Sequence, residues 1–384
     1  MTFVLRVFGW FLLSTATISA SLSALALLWR RRHLQARHAG APRPVSVLKP
    51  LFGAEPRLYE NLSSFFTQLH PTYQLVFGLH TNDDPALAVI RRLQAEHPER
   101  DVSIVVDGRS HGVNGKVSNL INLYPAAKYD WLVIADSDIS VPADYLGRVT
   151  APLAEADVGV VTCIYRGRAI GGIWSRLGTQ FIDEWFLPSV YLAAAGGSTR
   201  YGFGATIALR RGTLTTIGGF EALANQVADD YWLSELTRLK GLRTVLSDCE
   251  VYTDVTETRF VDLARHETRW LRTIRFLSPL SYAFSFVCFT LPVIAVGTVF
   301  TGFGPAALGV AAVGVLARLV LHCHARLHGV PPRTIADALK HLALFPVRDL
   351  LSLVLWAGGY GSTNVDWRGQ TMALDTRDSA RCST

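Results

Sequence analysis

From Phe276 to Ala317 the chain runs for 42 residues without one charged side chain. About 20 apolar residues suffice to cross a bilayer as a helix, so this run has the length of a pair of crossings. Gly302, Gly304 and Pro305 interrupt it near the middle, as a tight turn requires. The run predicts a transmembrane helical hairpin over 276–322, with helices Ala283–Thr301 and Ala306–Leu321. Arg318 and Arg326 would return the chain to the side it left. A second apolar run, Val7 to Trp29, is followed by Arg30-Arg31-Arg32, Arg37 and Arg43. A signal peptide carries its charges before the apolar stretch; here they follow it, which predicts a retained anchor over 1–30. The arginines place residue 30 onward in the cytosol by the positive-inside rule. A third stretch, Leu342–Tyr360, is interrupted by Arg348-Asp349. Charge inside lipid is expensive, so an interfacial or re-entrant helix is expected within a cytosolic C-terminal segment, 323–384.

Composition agrees. Charged residues make up 18% of the chain, below the roughly 25% of a soluble domain, and mean hydropathy is +0.25. Disorder is disfavoured, because it needs low hydrophobicity. The net charge of +6 sits largely in short runs beside the apolar segments, so no nucleic-acid partner is expected. So few intramembrane charges offer a transporter no pathway. The five cysteines are scattered without a CxxC pair, which fits a reducing compartment.

The polar middle, 44–275, reads as one α/β domain. Val45–Pro50, Tyr73–Leu79, Val102–Val106 and Trp131–Ala135 are apolar strands; Leu58–Leu69, Pro85–His97 and Asn114–Leu123 have helical character. Strands alternating with helices predict a parallel sheet covered on both faces. Ligands of such sheets sit beyond the carboxyl ends of the strands, which brings 80–84 and 136–138 to one edge.

Several acids fall on that edge. Asp136-Ser137-Asp138 leaves the strand WLVIA directly, and a carboxylate pair there can hold Mg2+ or Mn2+ with substrate phosphates, or cap a turn. In Asn82-Asp83-Asp84-Pro85, Asp84 could cap the next helix while Asp83 bonds a base or ribose. Lys116 and Asn119 lie at a helix start, where backbone amides attract phosphate; a solvated lysine is the bland alternative. Asp229-Asp230 precedes an apolar helix, and adjacent carboxylates can leave one poised as a general base or simply cap the helix. His266-Glu267-Thr268-Arg269-Trp270 opens a basic amphipathic stretch that could touch anionic lipid or neutralise a leaving diphosphate.

Taken in order, VSVLKPLFGAE (45–55), NDDPA (82–86), GVNGKVSNL (112–120), KYDWLVIADSDI (128–139), VADDYWL (227–233) and HETRWLRTIR (266–275) resemble family 2/21 glycosyltransferases of the GT-A fold. The likeness extends to PVRDLLS and WRG within 346–369. It points to ceramide glucosyltransferases and to hopanoid-associated enzymes that add N-acetylglucosamine to bacteriohopanetetrol. The resemblance implies a Rossmann-like, nucleotide-diphospho-sugar transferase domain at a bacterial inner membrane, with a UDP-sugar donor and a lipid acceptor. It implies that Asp83 or Asp84 holds the uridine, that Lys116 and Asn119 flank the nucleotide, and that Asp136 and Asp138 hold metal and diphosphate. Asp230 becomes the catalytic base, and Arg269 and Trp270 the functional end of (Q/R)xxRW. The first position of that motif is His266 here, where processive synthases carry Gln, which suits a single transfer.

Overall fold

The computed structural model describes residues 3–33, 41–328, 334, 341–362, 364–367 and 370–373. Arg37, the 329–333 part of the expected return loop, and Arg368-Gly369 of the WRG motif lie outside the described residues. The chain divides into two compact units: 34–165 with 197–254, and 1–33 with 166–196 and 255–384. This differs from the expected undivided 44–275 stretch, because 166–196 and 255–275 pack among the apolar helices of the second unit.

In chain order the elements begin with helix α1 (Phe3–His33), then β1 (Val45–Pro50), α2 (Leu58–Phe66), β2 (Tyr73–Leu79), α3 (Ala86–Glu96), β3 (Asp101–Val106) and α4 (Gly115–Leu123). Next come β4 (Trp131–Ala135), β5 (Ile139–Ser140), α5 (Tyr145–Thr150), β6 (Val158–Ala169), α6 (Ile173–Phe181), a π-helical turn over Ile182–Phe186 and α7 (Leu187–Ala195). β7 (Thr206–Arg210), α8 (Arg211–Thr216), α9 (Asp229–Leu239), β8 (Arg243–Val255) and α10 (Phe260–Leu277) follow. The chain continues through α11 (Pro279–Phe284), α12 (Thr290–Thr301), α13 (Pro305–Leu327) and α14 (Leu344–Gly358), and ends in a hairpin of β9 (Asn364–Trp367) and β10 (Gln370–Ala373).

The first unit is built on a sheet of order β3-β2-β1-β4-β7-β6-β8-β5. β1, β2, β3 and β4 pair in parallel, with Val45 opposite both Tyr73 and Trp131. These are the four strands expected from the apolar runs. β7 pairs antiparallel with β4 and β6, and β5 with β8, so the all-parallel expectation holds for half the sheet. Every residue of β2 and β4 is buried, as strands covered on both faces must be. α2 presents Leu58, Leu62, Phe65 and Phe66 to the core at helical spacing.

In the second unit, α1 and α13 are long and apolar enough to cross a membrane, and the α11 and α12 segments together make a further candidate bent by 76°. α1 packs on α12 and α13 through Leu12, Leu13, Ala16, Val293, Ile294 and Ala307. Gly9 and Gly297 allow the backbones to meet: a Cβ on Gly297 would lie 2.9 Å from the Gly9 carbonyl oxygen, the close approach small residues give apolar helices. The expected turn is present, with Gly302 left-handed at φ 78° and Pro305 opening α13.

Two features of the hairpin differ from expectation. The first arm is not one straight helix: Phe289 leaves the helical region, and the Leu291 amide is accepted by Asp349 Oδ2 at 3.1 Å. That bond satisfies a donor which a broken helix would leave bare in an apolar setting. Nor is Arg318 a solvent-facing flank. It is buried within α13, where Glu184 and Asp349 neutralise it. The third apolar stretch forms α14, whose 15 residues fall short of the roughly 20 needed to span.

Candidate active site

The site in the α/β unit forms where strands end. β1 finishes in Lys49, a lysine inside an apolar run and fully buried. Its ammonium donates to the Asp136 backbone carbonyl at 2.5 Å and lies 3.9 Å from the centre of the Phe65 ring. Burial lowers its pKa to about 7, against the pull of the Asp136, Asp138 and Glu55 carboxylates. β4 then delivers Asp136-Ser137-Asp138. Asp138 accepts from the Thr253 hydroxyl at 3.1 Å on β8, and its backbone carbonyl accepts from the Asp254 amide at 3.0 Å. Ser137 donates to Glu55 at 3.1 Å. Burial, then Asp136 and Glu55, push Asp138 up to about 7.

α4 contributes Lys116. Asn114 caps this helix, accepting from the Val117 amide at 3.1 Å. Lys116 Nζ reaches Asp136 Oδ1 at 2.6 Å and Asp229 Oδ2 at 3.5 Å. Burial works against its charge, but Asp136, Asp229 and Asp230 outweigh it and hold the pKa above the ordinary lysine value. Asp230 opens α9. Its carboxylate accepts from the Gly204 amide at 2.8 Å and the Tyr231 amide at 2.8 Å. Burial, then the neighbouring Asp229, raise it to about 6.

The point where these groups converge is Gly204. A Cβ built there would sit 3.3 Å from Asp136 Oδ2, 3.4 Å from Asp230 Oδ2 and 3.4 Å from Lys116 Nζ. Neighbouring Gly202 is far tighter, since its Cβ would meet the Asp230 backbone oxygen at 2.3 Å. The structure therefore unites Asp136, Lys116 and Asp230, which are separated in sequence. It gives two other expected residues different surroundings. Asn119 is buried, and its amide bridges the Leu51 and Gly78 carbonyls at 3.3 and 3.0 Å. Asp84 accepts from the Gly53 and Ala86 amides, so it ties a loop to the start of α3. Asp83 beside it is exposed.

Lys49, Glu55, Thr253 and Gly204 were not singled out from the sequence. The lysine within VSVLKP was the one available signal.

Arg269 and Trp270 lie on α10, in the other unit. Trp270 stacks on Phe181 with centroids 6.1 Å apart and meets the His266 ring edge-on at 4.4 Å. His266 Nδ1 is 2.5 Å from Glu257 Oε1.

The donor set at 136–138 is all hard oxygen, the type Mg2+ and Mn2+ prefer. Mutual repulsion on Asp138 is the strain a divalent cation would relieve. Among the described residues no group of three or more His, Cys, Asp or Glu side chains forms a metal cage. Two hard carboxylates of this kind would need substrate phosphates to complete a cation's shell.

A model of glycosyl transferase family 21 matches residues 11–380. The chain belongs to that family. Ceramide glucosyltransferase 1 of Caenorhabditis elegans is 27% identical over 233 residues, covering 59% of this chain and 49% of that protein. A ceramide glucosyltransferase of Komagataella phaffii is 34% identical over 109 residues, 27% of this chain and 21% of that one. The chain thus spans about half the length, or less, of these curated relatives. Among solved structures, a mannosyltransferase from Pyrobaculum calidifontis in complex with GDP-Man and Mn2+ aligns with a TM-score of 0.56 at 19% identity, over 93% of this chain and 98% of that one. The fold is GT-A-like, with candidate apolar helices at the N-terminus and in the C-terminal region.

Proposed function

We propose that this chain is an inverting glycosyltransferase moving one sugar from a UDP-sugar to a hydroxyl of a membrane lipid. The observation carrying this reading is the convergence of Asp136, Lys116 and Asp230 around Gly204 in a family 21 chain. Asp136 and Asp138 would hold Mg2+ or Mn2+, which supplies charge neutralisation at the diphosphate; the fold neighbour carries Mn2+ with its nucleotide sugar. Lys116 keeps its charge and can reach a phosphate oxygen. Exposed Asp83 is assigned the uridine, while Asn119 holds the ends of β1 and β2 together and Asp84 ties the loop at Gly53 to α3. Asp230, oriented by the Gly204 and Tyr231 amides, is ionised at neutral pH yet more basic than an ordinary carboxylate. It removes the proton of the acceptor hydroxyl as that oxygen bonds the anomeric carbon and the bond to UDP breaks on the opposite face. Arg269 is assigned the departing diphosphate and Trp270 the wall of the acceptor slot.

A lipid acceptor is supported by the apolar helices and by relatives named for ceramide glucosylation. The finer reading is UDP-N-acetylglucosamine with bacteriohopanetetrol, on the likeness of HETRWLRTIR and WRG to the hopanoid branch. The Caenorhabditis elegans likeness favours a second, UDP-glucose with ceramide. A non-catalytic nucleotide-binding scaffold is disfavoured, since a binder needs no base beside a metal–phosphate pair. The arginines after α1 support an α/β unit in the cytosol, the candidate spans a multi-pass protein, and the hopanoid likeness a bacterial inner membrane.

Purified full-length chain should label bacteriohopanetetrol from UDP-N-acetylglucosamine with Mn2+ or Mg2+ and not in chelator. Labelling of ceramide alone overturns the substrate pair and keeps the chemistry; equal turnover in chelator removes the cation; growing sugar chains overturn single transfer.

A further inference from the structure

Arg348 and Asp349 are neighbours on α14, and both are buried. Successive helical residues point about 100° apart, so this dipeptide reaches two different helices. Arg348 grips Glu267 of α10 through both terminal nitrogens, at 2.8 Å each. Its guanidinium also donates to Ser352 Oγ at 3.0 Å and to the Leu177 carbonyl at 3.3 Å. It lies 5.4 Å from the centre of the Phe181 ring, the ring that stacks on Trp270. Asp349 faces the other way. It accepts from Arg318 of α13 at 2.8 and 3.0 Å and from the Leu291 amide at the start of α12. Arg318 continues to Glu184 at 2.7 Å, and Glu184 to His322 Nδ1 at 2.8 Å.

Glu267 occupies an odd place. Leu263, Glu267 and Leu271 form the buried stripe of α10, at the i, i+4 spacing of a packing seam. A leucine at the middle position would bury without any cost in desolvation. Buried ion pairs seldom add stability over apolar replacements of similar size, and their best-attested use is to specify register. An all-apolar seam between α10 and α14 tolerates sliding and rotation. A bidentate Arg–Glu pair inside it exists at one height and one rotation only. α10 also carries Arg269 and Trp270, so whatever fixes its register fixes them.

We propose that Glu267 and Arg348 are positioning residues for sugar transfer: their pair, continued through Asp349 and Arg318 to the apolar helices, sets the register of α10 and with it Arg269 and Trp270. The part concerning transfer rests on the function proposed above; the part concerning register does not.

The test uses the full-length chain in detergent or nanodiscs. The double variant E267L/R348L removes both charges and leaves neither unpaired, so its melting temperature should match or exceed the wild type. Its turnover should fall by about 10²-fold, the effect of an ångström-scale misplacement, and UDP affinity should weaken with it because Arg269 is assigned the diphosphate, while the pH dependence of turnover stays unchanged. Spin labels at exposed Arg265 on α10 and exposed Leu316 on α13 should give a broader distance distribution in the double variant than in the wild-type background. Should that variant fail to fold, E267Q gives the same reading through its ratio of kcat to donor KM. Wild-type turnover in either variant, or a distance distribution as narrow as the wild type, overturns the proposal. A wild-type chain that transfers no sugar defeats the function proposed above, and the spin-label comparison still decides whether the pair sets register.

Discussion

Asp230 illustrates how much one residue owes to its surroundings. An aspartate in water titrates near 3.9; burial and the adjacent Asp229 move this one to about 6. In the base role proposed for it Asp230 must be ionised, so kcat/KM should fall with decreasing pH below about 6, by roughly tenfold per unit. Asp230→Asn should lower turnover by about 10²–10⁴-fold and abolish that acidic limb, with UDP-sugar affinity near normal; pH–rate profiles of the two proteins decide it. Gly204 makes a second prediction. Its Cβ would press on Asp136, Asp230 and Lys116 at once, so Gly204→Ala should reduce kcat/KM by about 10-fold or more through misplacement while the melting temperature changes little. A measured rate equal to the wild type would mean that the corner has room to yield. The acids were legible from their place after an apolar strand, as in Asp136 and Asp138, or before an apolar helix, as in Asp229 and Asp230. Gly204 was not, because a glycine in a loop carries no sign of which side chains will surround it.

At the level of elements, periodicity served well wherever one partner sheet or core decided burial. The four parallel strands and the three helices between them lie within a few residues of expectation, because each apolar run had the period its structure needs. The antiparallel half was missed: β6 and β8 run for 12 and 13 residues and bury polar side chains such as Thr162 and Ser247, which masks the apolar pattern. The partners of the charged residues in the C-terminal helices were illegible for a related reason. Charge in lipid is expensive only when alone, and Arg318, Asp349, Arg348 and Glu267 all find partners that no local pattern announces. Breaking such a pair by truncating one member leaves a bare buried charge. Glu267→Ala takes away the carboxylate that faces Arg348 and should therefore destabilise the protein by about 3–5 kcal/mol, read as an earlier unfolding transition in detergent. Glu267→Leu combined with Arg348→Leu should be milder than the single change; equal loss in both would mean that the charges act independently.

Across the whole molecule, the prediction concerns sidedness. A cysteine placed at Gly304, in the turn between α12 and α13, should react from outside intact cells with an impermeant maleimide. One placed at exposed Leu239 should react only after permeabilisation. The reverse pattern would invert the proposed orientation of the α/β unit. The sequence by itself determined that the chain joins an α/β domain to apolar helices, where their turn lies, and which acids stand at strand ends. Those properties follow from local hydrophobic period, and local period survives in a one-dimensional string. Only the tertiary structure decided that 166–196 and 255–275 pack with the apolar helices, that Asn119 braces strand ends and Asp84 a loop, and that Gly204 is the meeting point of Lys116, Asp136 and Asp230. It alone showed the Arg348–Glu267 and Arg318–Asp349 pairs. Each of these depends on which residues distant in sequence become neighbours, and burial and charge pairing are properties of that neighbourhood rather than of any one residue.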